Sequence, residues 1–201
     1  YSPNSYDTCT VRGNNMLNTA DNTNSKLSIL VKFYHNAKIL SNDLQLSNNT
    51  ESNINTNIAV GGNKVLTVDD NTIMGSIVLD NPTKNNAGYD FIAPMKTVKI
   101  INNTVDDYVY RAGIRVNGVS DTSRLQINSL TVSGNTCSTS YTLSTVSTIY
   151  LRDVDIGRSI IMGNIGNDDD DTKNRSYRFN VIEGTRVQEN NTWLPANDLD
   201  L

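Results

Sequence analysis

The sequence predicts an all-β fold: a right-handed parallel β-helix in which successive coils of chain stack into a solenoid. Two observations carry this expectation. A short template of strand alternation ending in Asn recurs along the chain, and Asn, with 30 copies against Gly 12 and Pro 4, supplies most of the turn chemistry.

The template reads apolar, any residue, apolar, two polar or small residues, Asn, any residue, apolar. It passes through Cys9, Val11 and Asn14 to Met16, then through Leu44 and Leu46 to Asn49. Further copies pass through Leu66, Val68 and Asn71 to Ile73, through Val98, Ile100 and Asn103 to Val105, and through Leu130, Val132 and Asn135 to Cys137. Two degenerate copies are anchored on Val154 and Gly184, which gives about seven rungs at intervals of 35, 22, 32, 32, 19 and 30 residues. Helical repeats hold nearly constant periods and a 3.6-residue apolar spacing, whereas these units open on a two-residue alternation. A β-sandwich would show short alternating strands too, but would not require the same Asn at the same offset. A stack does require it. An Asn amide carries two donors and a two-lone-pair acceptor, so at one bend in rungs about 4.8 Å apart it can bond its copies above and below. The predicted ladder is Asn14, Asn49, Asn71, Asn103 and Asn135.

Each interval holds a second apolar run, at 27–34, 57–60, 75–79, 108–116, 141–146 and 158–165. Polar insertions follow at 80–90, 119–124 and 166–176, and insertions at one phase of a solenoid gather on one face as a lipped groove. The expected division is a β-helix over 1–186, the C-terminal part of a longer one, and a tail over 187–201 that caps the last rung or contacts a subunit. Trp193 lies in that tail. The chain opens on Tyr1 within the repeats, so it reads as a piece of something longer, with its polar cap upstream or supplied by a neighbour.

Charge narrows the partners. A net charge of −4 and a pI near 4.9, without clustered Lys or Arg, exclude a phosphate-neutralising nucleic-acid surface. No apolar run approaches the roughly 20 residues that span a bilayer, so no membrane insertion is expected. Cys9 and Cys137 take apolar positions four predicted rungs apart, too far for a disulfide, and are expected as free thiols, which suits assembly in a reducing cytoplasm.

With the repeat set out, its resemblance can be stated. Over about residues 8–186 it resembles the parallel β-helix repeats of the pectate-lyase-like superfamily, and among its members most resembles bacteriophage tailspikes and appendages. The resemblance implies a virion tail protein assembled in the host cytoplasm, forming a homotrimer and adsorbing to a bacterial surface polysaccharide. A secreted location is the alternative. The enzyme alternative is a polysaccharide depolymerase, a lyase or glycoside hydrolase; the third reading is a structural fibre spacer.

The residues decide less about chemistry. The polygalacturonase branch carries Gly-His-Gly, but the only histidine, His35, stands between Tyr34 and Asn36. The Arg-x-Pro-x-x-Arg of pectate lyases is absent as well. No catalytic set carries over, and the only cross-rung carboxylate pair to be constructed is Asp70 with Asp107. The run Asp168 to Asp171 lacks the spaced ligands and Gly of a calcium loop and reads as a solvated loop, and no metal or other cofactor is expected. Tyr89, Asp90, Tyr108, Tyr110, Arg111 and Arg124 are expected to line the groove, since aromatic faces suit sugar rings and guanidinium forks suit acidic sugars.

Overall fold

Alternation sets the strands. In Val65–Asp69 the even members Leu66 and Val68 are fully buried while the odd members stand half exposed, and Thr97–Ile101 repeats the pattern with Val98 and Ile100. The computed structural model describes residues 8–18, 26–32, 34–46, 55–61, 64–80, 94–106, 112–118, 124–138, 146–167 and 174–194. Among these every regular element is a strand.

The chain visits three faces in turn. It begins with β1 (Thr8–Arg12), β2 (Asn15–Asn18) and β3 (Lys26–Lys32), then β4 (Asn36–Leu40), β5 (Asp43–Leu46) and β6 (Asn55–Gly61). Next come β7 (Val65–Asp69), β8 (Thr72–Met74), β9 (Ile77–Asp80), β10 (Thr97–Ile101), β11 (Thr104–Asp106) and β12 (Ala112–Asn117). The last are β13 (Leu125–Ser133), β14 (Thr136–Cys137), β15 (Val146–Met162), β16 (Ile165–Asn167), β17 (Asn174–Glu189) and β18 (Thr192–Leu194). All pairing is parallel between equivalent strands of neighbouring coils. The first face runs β1-β4-β7-β10-β13-β15, the third runs β3-β6-β9-β12-β15, and β17 pairs with β15 along both. The second face is a seven-stranded sheet from β2 to β18. This is a parallel β-solenoid. Its interior is filled by Ile39, Leu66, Ile100 and Leu130 from the first face, Leu44, Ile73, Val105 and Cys137 from the second, and Ile58, Ile77, Ile114 and Ile149 from the third.

The bend between the first and second faces explains the Asn ladder. Each ladder Asn follows a residue with positive φ: Gly13, Ser41, Asp70, Asn102, Gly134, Gly163 and Asn190, with φ between 51° and 65°. Gly, Asn and Asp reach that region at least cost. The following Asn then turns inward. Asn71 Nδ2 donates to Asn103 Oδ1 at 2.9 Å and to the Ile39 carbonyl at 3.0 Å, while the Asn71 backbone N–H also donates to Asn103 Oδ1. The same set recurs at Asn42, Asn103, Asn135 and Asn164. Every amide capacity is used, so these buried polar groups are paired as burial demands.

The expected ladder is right at Asn14, Asn71, Asn103 and Asn135 and is corrected elsewhere. The position between Asn14 and Asn71 belongs to Asn42, which accepts from the first and donates to the second. Asn49 lies outside the described residues. Val154 is a core residue of β15 and Gly184 lies within β17, so neither is an anchor. Asn164 and Asn191 hold those places, and the spacings become 28, 29, 32, 32, 29 and 27 residues. The expected boundary at 186/187 falls inside β17, and the coil continues through β18, where Trp193 pairs in register with Gly166.

Both cysteines are free. Cys137 is fully buried, and desolvation pushes its thiol pKa upward, whereas Cys9 on β1 is half-buried. A raised pKa leaves less thiolate at any working pH, and burial excludes the reagent. In the native protein Cys9 is expected to react with a thiol reagent first and Cys137 only as the protein unfolds. Equal rates for the two under native conditions would contradict this packing.

Candidate ligand-binding face

The outer side of the third face gathers chemistry that the interior cannot hold. On β12, Ile114 and Val116 point into the core, so Arg115 and Asn117 point out. Register aligns Arg115 with Val78 on β9 and Tyr150 on β15, and aligns Asn117 with Asp80 and Arg152. Two columns of outward residues thus run along the stack, the members of each about 4.8 Å apart, and the columns stand two residues apart along the strand. Arg178 and Asn180 on β17 continue the two registers.

These side chains are already engaged with one another. Arg115 lies 3.7 Å from the Asp80 carboxylate, and Asn117 Nδ2 donates to the same Asp80 oxygen at 3.2 Å. Arg152 Nε donates to Asp153 Oδ2 at 3.0 Å. Tyr150 first, and Asp153 second, raise the Arg152 pKa further above its usual value. Tyr150 is buried to 8% exposure, while Asp80 and Arg152 keep 41% and 47% of their side chains accessible. Among the described residues of these columns, the Asp80 carboxylate and the Arg152 guanidinium are the charged groups most open to solvent.

The corner beyond is sharply made. Register shifts between Arg152 and Val154, and Asp153 takes φ 54° with its carboxylate almost wholly buried. Gly118 sits against it: a Cβ there would lie 1.9 Å from the Asp153 carbonyl oxygen. Arg124, half-buried, precedes Leu125, which pairs with Val154 just past the same corner. Two residues on, Asp155 lines a shallow depression of about 320 Å³ with Gln126, Ile127, Asn128, Ile156 and Gly157.

Of the residues expected to line a groove, only Arg124 is described. Tyr89, Asp90, Tyr108, Tyr110 and Arg111 lie outside the described residues, as do Asp107 and the run Asp168 to Asp171. Their chain positions still correct the expected phase of the insertions. Two strands per rung were expected and three exist, so 81–93 and 119–123 link the third face to the next first face, whereas 107–111 and 168–173 link the second face to the third. In chain order these stretches therefore fall at two kinds of connection, one leading into the third-face strands and one leading out of them. Asp70 is exposed at the first bend, where its carboxylate accepts the Ser41 hydroxyl hydrogen at 2.9 Å. His35 is exposed, and its carbonyl accepts from the Lys64 and Val65 N–H groups. Among the described residues no group of three or more His, Cys, Asp or Glu could hold a metal ion.

Sequence reasoning missed Arg115, Asn117, Tyr150 and Arg152. Their signal was a shared offset: 115 to 150 equals 117 to 152, one coil on the same face. No protein-family model matches this chain, nor does any curated protein or solved structure.

Proposed function

We propose that this chain is a virion tailspike or appendage module, assembled as a homotrimer, that adsorbs to a bacterial surface polysaccharide laid along the third face. The observation that carries the reading is the pair of outward columns, Arg115 with Tyr150 and Asn117 with Arg152, flanked in the chain by insertions before and after. A polymer with a repeating unit suits a surface that repeats its polar groups along the stack. The resemblance of the repeat to pectate-lyase-like β-helices, and to phage appendages among them, supports the virion setting.

Adsorption without cleavage is the expected activity. The test incubates the full chain with purified capsule or lipopolysaccharide from a susceptible host and measures both retention and new reducing or unsaturated ends. Arg152→Gln is expected to weaken retention by about tenfold or more, the loss of a charge-assisted hydrogen bond, with the β-type circular dichroism unchanged. New chain ends that disappear in Asp70→Asn would replace this reading with a depolymerase. Neither retention nor new ends would leave a structural fibre spacer.

A further inference from the structure

Resting on the adsorption reading, we infer that the outer side of the first face is a second glycan site, one for a polysaccharide that carries carboxylates. The observation is a lysine patch that the sequence scatters and the stack assembles. On β4, β7 and β10 the pairs Ala37 and Ile39, Leu66 and Val68, and Val98 and Ile100 are buried, which turns Lys38, Thr67 and Lys99 outward. Register sets these three in one column, Lys38 beside Thr67 and Thr67 beside Lys99. A second column stands just before the strands. The Lys64 N–H donates to the His35 carbonyl and the Lys96 N–H to the Lys64 carbonyl, so His35, Lys64 and Lys96 follow one another in successive coils. His35 and all four lysines are exposed.

Neighbours in a column are about 4.8 Å apart along the stack. Lys64 and Lys96 are therefore like charges side by side, an arrangement that costs stability. None of the four lysines has an ion-pair partner among the described residues. The one carboxylate on these three strands, Asp69, stands at their far end and accepts from Asn102 Nδ2 at 3.1 Å. A chain with a net charge of −4 thus keeps a local excess of positive charge over three coils, and an anionic ligand would offset it. A carboxylated glycan fits the patch better than a nucleic acid. Thr67, Thr97 and Asn36, set among the lysines, both donate and accept, as sugar hydroxyls require. Apart from the His35 imidazole at one end, neither column holds an aromatic ring on which the bases of a single strand could stack. A broad sheet face also fits neither groove of a duplex, which admits a helix or a two-stranded ribbon.

The experiment mixes the full chain with purified bacterial glycans, uronate- or sialate-bearing beside neutral, and with single-stranded oligothymidylate, at low and high salt. Acidic glycans are expected to be retained, about tenfold more weakly at high salt, because exposed charges are screened. Lys64→Gln combined with Lys96→Gln should weaken that retention about tenfold or more and leave neutral glycans as they were. Its melting temperature should equal or exceed the parent's, since a repulsion is relieved, and Lys64→Arg with Lys96→Arg should bind acidic glycans as the parent does. A lower melting temperature with no selective loss of acidic glycans would make the lysines structural and overturn the inference. Acidic retention indifferent to the glutamine pair, or retention of neutral glycans alone, also overturns it while leaving adsorption standing. Oligothymidylate held more tightly than every acidic glycan overturns the choice of ligand. Retention of no glycan removes the adsorption reading and this inference with it. Arg152→Gln on the third face is the control, expected to weaken acidic and neutral glycans alike.

Discussion

Replacing Asn103 with Ala is expected to lower stability by about 3 kcal/mol, seen as a fall of roughly 6–12 °C in melting temperature for a chain of this size. The amide sits in the middle of the ladder, 1% exposed. Its Nδ2 donates to Asn135 Oδ1, to the Val68 carbonyl and to the Ile101 carbonyl, and its Oδ1 accepts from the N–H and the amide of Asn71. Truncation leaves the Asn71 backbone N–H buried without its acceptor, where water cannot repair it, while Asn71 Nδ2 keeps the Ile39 and Asp69 carbonyls and Asn135 Oδ1 keeps the residue-103 N–H; that orphaned donor adds to the cost of the lost side-chain bonds. Asn14→Ala makes the comparison. Asn14 is exposed at the other end of the ladder and donates to Asn42 alone among the ladder residues, so its loss is expected to cost under about 1 kcal/mol. Asn103→Asp refines it further. The carboxylate keeps an acceptor and loses both donors, so the buried variant favours its protonated form and its folded pKa rises. Its deficit should be largest at neutral pH and shrink as pH falls, when the regained O–H can donate. Equal losses at positions 14 and 103, or no loss at 103, would remove the ladder as a source of stability.

Much of the solenoid was legible because its determinants are local. Strand alternation and the Asn at a fixed offset are both set within eight residues, so the first, third, fourth and fifth ladder positions could be read directly. The error at Asn49 shows the limit. Two overlapping frames fit this stretch: Ala37, Ile39 and Asn42, or Leu44, Leu46 and Asn49, each with a residue before the Asn that tolerates positive φ. The inward position two residues after the Asn decides between them. It is Leu44 for Asn42, fully buried, but would be Glu51 for Asn49. Asn164 was hidden for a different reason. Its inward residue is Gly166, which looks like a failed repeat until the packing is known: a Cβ there would lie 2.4 Å from Thr148 side-chain atoms, so the core at this level is filled from the third face. The binding face was less legible still. Arg115, Tyr150 and Arg152 are separated by whole coils, and their alignment depends on the summed lengths of insertions that no local pattern fixes. A count of two strands per rung in place of three then put the insertions on one edge. Arg111 and Arg124 were expected to meet acidic sugars; the fold instead brings Arg115 to 3.7 Å from Asp80 of the preceding coil and sets Arg152 on its chain neighbour Asp153.

Gly118→Ala is expected to be the most damaging single methyl addition on the outer surface, costing on the order of 3 kcal/mol or more and reducing the yield of folded protein. The new Cβ would lie 1.9 Å from the Asp153 carbonyl oxygen and 2.9 Å from both the Asp153 carbonyl carbon and the Leu125 nitrogen. All three contacts are backbone, so no side chain can swing aside. The Gly118 N–H also donates to the Arg152 carbonyl at 2.7 Å, a bond that any retreat of the chain must lengthen. Gly13→Ala serves as the contrast, since Gly13 has φ +65° with nothing within 4 Å of the added methyl. It should lose only about 1 kcal/mol, the cost of a left-handed conformation for a residue with a Cβ. The two variants separate steric crowding from backbone preference. They also bear on function, because the atoms that Gly118 approaches belong to the bulge that sets Arg152 and Asp153. In the fraction of Gly118→Ala that folds, glycan retention should fall, whereas Gly13→Ala should bind as the parent does. Melting curves and retention measured on both variants give the answer: a Gly118→Ala protein as stable as Gly13→Ala would mean that the third-face corner is not packed as described.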